Sequence, residues 1–244
     1  MIIKIMKNFA DLIKESFEIY RQKIASILIL MLIFSGLIMI FGILVSFVAP
    51  GDIIENGGYL GVLLILGIYL FMIFLSTFIG FSLMLLVIKP VGIKLKEIFQ
   101  EVWKKLWQYL LIAILVGFFV MITSFLLIIP GIIVGVYLAF SSFVFIIEEE
   151  KGINALKRSW NLVKGNWWKV FGRIMLLVLV FGILFSILGL VDLLLPLLLP
   201  IVFLYALLMH FCMFGCVMPF SIIFSYLIYL GLKKSKEVQI QPQA

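Results

Sequence analysis

The sequence predicts an all-α polytopic membrane bundle: six transmembrane helices with three cytoplasmic amphipathic interfacial helices in a loose threefold repeat. Composition carries the first half of this. Hydrophobic residues make up 65% of the 244-residue chain and charged residues only 13%, so more apolar surface is present than a water-soluble domain of this size can bury, and lipid must cover the excess. Charge placement carries the second half. All nineteen Lys and Arg fall in four clusters, separated by long apolar runs. Basic loops next to membrane spans stay on the cytoplasmic side, so the same clusters predict orientation.

A hydrocarbon core about 30 Å thick needs roughly 20 helical residues. Five basic residues precede the first expected span, 24–49, which ends at Pro50-Gly51. The loop that follows carries Asp52, Glu55 and Gly57-Gly58 but no Lys or Arg, which predicts an external position. The second span, 59–88, is closed by Lys89-Pro90, and five basic residues separate it from the third, 109–128. Pro130-Gly131 is expected to stop that third helix, through proline's missing donor and glycine's conformational freedom. A short fourth span, 132–147, runs to Glu148-Glu149-Glu150; a re-entrant segment is the alternative, and basic-residue placement favours a true span because re-entry would leave the preceding segment on the wrong side. Six basic residues lie between it and the fifth span, 170–191, or at the latter's edge. Asp192, Pro196 and Pro200 mark an external turn before the sixth span, 201–230. Residues 1–232 thus read as one integral membrane domain with both termini cytoplasmic, and 233–244 as a disordered polar tail with three basic residues. No cleavable signal is expected, because the first apolar run is too long for a signal-peptide core and lacks a small-residue cleavage site.

Three cytoplasmic segments align without gaps. Asp11-Leu12-Ile13-Lys14-Glu15-Ser16-Phe17 matches Glu97-Ile98-Phe99-Gln100-Glu101-Val102-Trp103 and Asn154-Ala155-Leu156-Lys157-Arg158-Ser159-Trp160. The offsets of 86 (11 to 97) and 57 (97 to 154) are irregular, and amphipathic helices before any membrane spans align in a similar way. Wound at helical period, Phe9, Leu12, Ile13, Ser16 and Tyr20 share a face in the first copy. Leu95, Ile98, Phe99, Val102 and Leu106 do so in the second, and Ile153, Leu156, Trp160, Val163 and Trp167 in the third. Such faces suit the lipid interface or the floor of the bundle. Gly165-Asn166 is expected to end the third helix with a left-handed cap.

All five tryptophans, Trp103, Trp107, Trp160, Trp167 and Trp168, fall in these segments. An indole has an apolar body and an N–H that needs a partner, so interfacial anchoring is the plain reading. The sharper one adds Lys157, Arg158, Lys164 and Lys169 and makes a surface for anionic lipid head groups or for a membrane or cytoplasmic protein partner. The formal charge of +7 is explained by these juxtamembrane positions and does not call for nucleic acid.

Chemistry is sparse. There is no HExxH, GxSxG or phosphate-cradling glycine loop and no carboxylate pair within the spans, so no catalytic residue, cofactor or metal ligand is assigned and an enzyme is not expected. His210, Cys212 and Cys216 share the sixth span, but 210 and 212 point to nearly opposed faces of a helix, which argues against a soft-metal site. Asp192 and Glu148 to Glu150 read as solvated helix ends, and Gly36, Gly42, Gly67, Gly80, Gly117, Gly135, Gly182 and Gly189 as places where helices pack closely.

Pro130-Gly131, Phe140, Phe143, Glu148, Gly152 and the run from Ala155 through Trp160 to Lys164-Gly165-Asn166-Trp167-Trp168 resemble the membrane domain attached to some glycerophosphoryl diester phosphodiesterases. The stretch also resembles related stand-alone prokaryotic six-span membrane proteins of unknown function. The likeness is best over about 125–175 and implies a membrane bundle. Hydrolysis is not expected, since the twelve-residue tail 233–244 has no room for a catalytic barrel.

The sequence therefore predicts a non-enzymatic, multi-pass protein of the cell membrane whose cytoplasmic collar engages anionic lipid or a partner protein. The alternative is a small transporter or permease-like component for a lipid-like or apolar solute.

Overall fold

The computed structural model describes residues 8–48, 58–194 and 217–240. Every regular element among them is helical: α1 Phe9–Val48, α2 Gly58–Ile88, α3 Leu95–Leu126, α4 Ile128–Leu138, α5 Ser141–Glu148, α6 Ile153–Val163, α7 Trp167–Leu194 and α8 Met218–Ile240. Four stretches are long and apolar enough to cross a membrane: Gly61–Ile88, Leu95–Phe125, Ile128–Glu148 and Trp167–Leu184. They overlap the second to fifth expected spans, with Leu95–Phe125 taking in the amphipathic segment expected ahead of residue 109. Residues 24–48 of the first expected span fall within α1, and residue 49, residues 201–216 of the sixth, with His210, Cys212 and Cys216, and the loop carrying Asp52 and Glu55 lie outside the described residues.

The chain divides into two compact units, Lys23–Leu106 and Met1–Gln22 with Trp107–Ala244, where the sequence predicts one domain. Both boundaries fall inside continuous helices, α1 and α3, so no linker composition marks them.

In the Lys23–Leu106 unit, Ile27, Leu30, Met31 and Phe34 form the buried stripe of α1 at helical spacing. Phe34 packs on Phe78 and Phe99, with ring centroids 6.0 and 6.3 Å away, and Phe78 meets Trp103 edge-on at 6.5 Å. Lys23 continues the same stripe and is buried with it. Its Nζ donates to the carbonyls of Leu86 (2.8 Å), Val87 (2.7 Å) and Lys89 at the end of α2. Those carbonyls have no acceptor role left within their own helix, and the helix dipole is negative there, so an ammonium fits. Burial pushes the Lys23 amine below the ordinary lysine range, while the carbonyls supply the acceptors that its buried donors need. Glu101 ties the first turns of α3 to Lys89 at 2.9 Å and to Lys105 at 3.1 Å.

The other unit is built around the break between α4 and α5. Here 44% of the apolar window is buried, against 6 to 11% for the other three long helices, so this short pair forms the core. Ser159 of α6 stitches the break: its hydroxyl donates to the Tyr137 carbonyl at 2.8 Å and accepts the Phe140 N–H at 3.2 Å. Two backbone groups that a continuous helix would have paired are thereby satisfied. Phe143 stacks on Tyr229 and Tyr226 of α8 at 5.8 and 6.0 Å.

Pro130-Gly131 does not stop α3. The chain leaves the helix at Leu127, which is extended at φ −161° and ψ 141°, and Pro130 lies in the first turn of α4. The first-turn N–H groups have no intrahelical acceptor, so proline loses nothing there. Gly131 is needed for a different reason: a Cβ at this position would stand 1.9 Å from Ser124 Oγ and 2.9 Å from Ser124 Cα. The close approach expected at Gly36, Gly67, Gly117 and Gly182 is absent, since nothing lies within 4 Å of a Cβ at any of them.

α8 continues to Ile240, past residue 233, with Ser235 buried and Lys233 at 3.6 Å from Glu148. A tertiary partner stabilises a helix that local propensity leaves marginal.

Candidate functional site

The corner between α6 and α7 gathers most of the basic and aromatic side chains singled out in the sequence. Gly152 at φ +53° opens α6, and Gly165 at φ +89° ends it, with the Asn166 N–H bonded to the Val163 carbonyl at 2.8 Å. The Asn166 carbonyl then accepts from the N–H groups of Lys169 (3.0 Å) and Val170 (3.1 Å) and begins α7. Two turns of cap chemistry thus place Lys164, Trp167, Trp168 and Lys169 close together in space.

The buried stripe of α6 is Ala155, Leu156, Ser159, Leu162 and Val163. It is rotated from the expected Ile153, Leu156, Trp160, Val163 and Trp167, because small Ala155 and Ser159 allow α6 to close on α4 and α5. Bulk is left on the flank. Ile153 and Trp160 are exposed, and the outward stripe reads Lys157, Trp160, Asn161 and Lys164, all exposed at helical spacing. In the first two repeat segments Leu12, Ser16, Ile98, Val102 and Leu106 are buried.

Trp160 stacks on Tyr137 with centroids 3.9 Å apart and planes 14° apart. This pair divides two apolar grooves. One, of about 430 Å³, is walled by Phe119, Val134, Leu138 and Leu156 and rimmed by Lys157, Trp160 and Asn161. The second, of about 810 Å³, runs along Ile129, Ile133 and Tyr137 to Trp167, Lys169 and Phe171. Trp167 is held in place: its ring stacks on Phe171 at 4.9 Å, and its N–H donates to the Ile133 carbonyl at 3.3 Å. Trp168 is 77% exposed and Trp107 78%, while Trp103 lies on the other unit beside Phe78.

Arg158 departs from the expected surface. Its Nε donates to Glu148 Oε2 at 2.7 Å, and Tyr229 donates to Oε1 of the same carboxylate at 2.7 Å. Glu148, expected as a solvated end, is the shared acceptor that joins α5, α6 and α8. The hydrogen bond from Arg158 to Glu148 raises the guanidinium further above its ordinary value, so Arg158 is a fixed structural charge. A sequence signal for Glu148 existed: it falls in helical phase with the buried Ser141, Val144 and Phe145 of α5.

Residues 53–230 match the family model described as a domain of unknown function, DUF7847. No curated protein and no solved structure matches the chain.

Proposed function

The chain belongs to the DUF7847 family, whose function is unknown, and from that premise we propose a non-enzymatic integral membrane protein whose α6–α7 corner engages anionic lipid head groups at the cytoplasmic leaflet. The observation that supports this most is the outward stripe of α6. Lys157, Trp160, Asn161 and Lys164 share it, with Trp168 and Lys169 just beyond. An exposed indole beside an exposed ammonium suits the boundary where apolar chains meet phosphate. The cytoplasmic placement of this corner follows from the placement of the basic clusters, and the Trp167 N–H on the Ile133 carbonyl brings the first turns of α4 to the same corner.

Magnitude favours the idea. Each lysine near an anionic leaflet contributes about 1 kcal/mol, so Lys157, Lys164 and Lys169 together supply about 3 kcal/mol, enough for marked selectivity. Arg158 contributes little to this, because its charge faces Glu148. The test is lipid selectivity in nanodiscs of mixed phosphatidylglycerol and phosphatidylcholine. Lys157→Glu, Lys164→Glu and Lys169→Glu combined should remove the enrichment of phosphatidylglycerol around the protein; enrichment equal to wild type would reject the proposal.

The two apolar grooves also support movement of a lipid-like or apolar solute as the alternative. Substrate-dependent flux in proteoliposomes, unaffected by the three charge reversals, would favour that alternative.

A further inference from the structure

The geometry points to the 430 Å³ groove between α3, α4 and α6 as a seat for one acyl chain of an anionic phospholipid, with the head group held by Lys157 and Asn161. This rests on the collar reading above and gives it a specific site. A cleft of this size falls in the range that takes small ligands, about 300 to 1,000 Å³. Its floor is hydrocarbon: Phe119, Val134, Leu138 and Leu156. The single hydroxyl on its wall, Thr123, is already bonded to the Phe119 carbonyl at 2.8 Å and the Val120 carbonyl at 3.1 Å. A peptide backbone or polar solute lying there would forfeit hydrogen bonds to water and gain none, whereas an acyl chain has none to lose.

The mouth has the opposite character. Lys157 and Asn161 are four residues apart on one face of α6, and Trp160 lies between them. Arg158, the next cation along, is paired with Glu148, while Lys157 has no ion-pair partner among the described residues. An unpaired ammonium and a carboxamide over an apolar trough complement a molecule with a hydrocarbon tail and an anionic head. The α3 wall belongs to one of the long apolar stretches, which makes a membrane lipid the occupant in reach.

The experiment titrates the purified full chain in detergent with lysophosphatidylglycerol and lysophosphatidylcholine, read by native mass spectrometry. Wild type should bind the anionic lipid saturably and about tenfold more tightly than the zwitterionic one. Val134→Trp, which fills the trough, should weaken lysophosphatidylglycerol about tenfold or more while Val134→Ala does not, and Lys157→Gln should bring the two lipids to within about twofold. Unchanged binding by folded Val134→Trp overturns the site, as does equal binding of both lipids by wild type. A second measurement needs no variant: phosphatidylglycerol with a photoactivatable tail should label Phe119, Val134 or Leu138 in the native chain, and labelling confined to other positions overturns the proposal. Loss of the groove site would leave head-group selectivity in nanodiscs intact, so the two readings fail separately.

Discussion

Arg158 gives its Nε proton to Glu148 across 2.7 Å, and this bond separates it in role from Lys157, its neighbour in sequence. One cation is spent inside the protein, and the other stands at the rim of a groove. Charge-reversal of the two should therefore have different consequences.

Arg158→Gln and Tyr229→Phe each remove a donor from Glu148, whose side chain is only 14% exposed. Hydrogen bonds to charged groups contribute about 1.5 to 3 kcal/mol, and the partial exposure of Arg158 places its loss at the lower end of that range. Denaturant unfolding in detergent should show Tyr229→Phe destabilised by about 2 kcal/mol. A double-mutant cycle between the two should give strong coupling, since both act on one carboxylate. Independent, additive effects would show that Glu148 does not join α6 and α8.

Gly131→Ala should destabilise by about 1 to 3 kcal/mol, because the added methyl meets Ser124 backbone as well as its hydroxyl. Gly135→Ala, on the same helix, finds its nearest atom at 3.9 Å and should be neutral or mildly stabilising. Thermal unfolding of the pair checks this. Equal melting temperatures would mean that α3 and α4 do not approach at Ser124.

Lys23→Met keeps the length of the side chain but leaves the carbonyls of Leu86, Val87 and Lys89 without their donor. The expected loss is about 1 to 3 kcal/mol, while Lys14→Met, an exposed position on the same helix, should stay within about 0.5 kcal/mol of wild type. Hydrogen exchange should localise the Lys23→Met effect to the last turn of α2. Protection there equal to wild type would contradict the capping role.

The helices were legible because the relevant signal is local. The apolar run closed by Lys89-Pro90 and the amphipathic helix closed by Gly165-Asn166 end where cap chemistry says they should. Tertiary pairing was not legible. Period put Trp160 on one apolar face with Leu156 and Val163, suited to the lipid interface or the bundle floor; the structure buries Ala155 and Ser159 instead, because a small stripe lets α6 reach the broken backbone at Tyr137 and Phe140. The break itself is marked in the sequence only by Ser141-Ser142 just after it, the Ser141 hydroxyl donating to the Leu138 carbonyl at 2.8 Å, and serines bond back in the same way inside unbroken helices. Glu148 was hidden by Glu149 and Glu150, and only its phase with Ser141 and Phe145 sets it apart. Of the expected lipid surface, Lys157, Trp160 and Lys164 fall on one stripe, with Trp167, Trp168 and Lys169 beyond it. Arg158 is withdrawn to Glu148, and Trp103 belongs to the other unit.

A reporter cysteine at Lys164, in a chain with Cys212 and Cys216 replaced by serine, tests the placement of the collar most directly. Membrane-impermeant maleimide should label it in inside-out vesicles and leave it untouched in intact cells. Labelling from outside intact cells would put the basic stripe of α6 at the wrong leaflet, and the proposed engagement of cytoplasmic anionic lipid would fall.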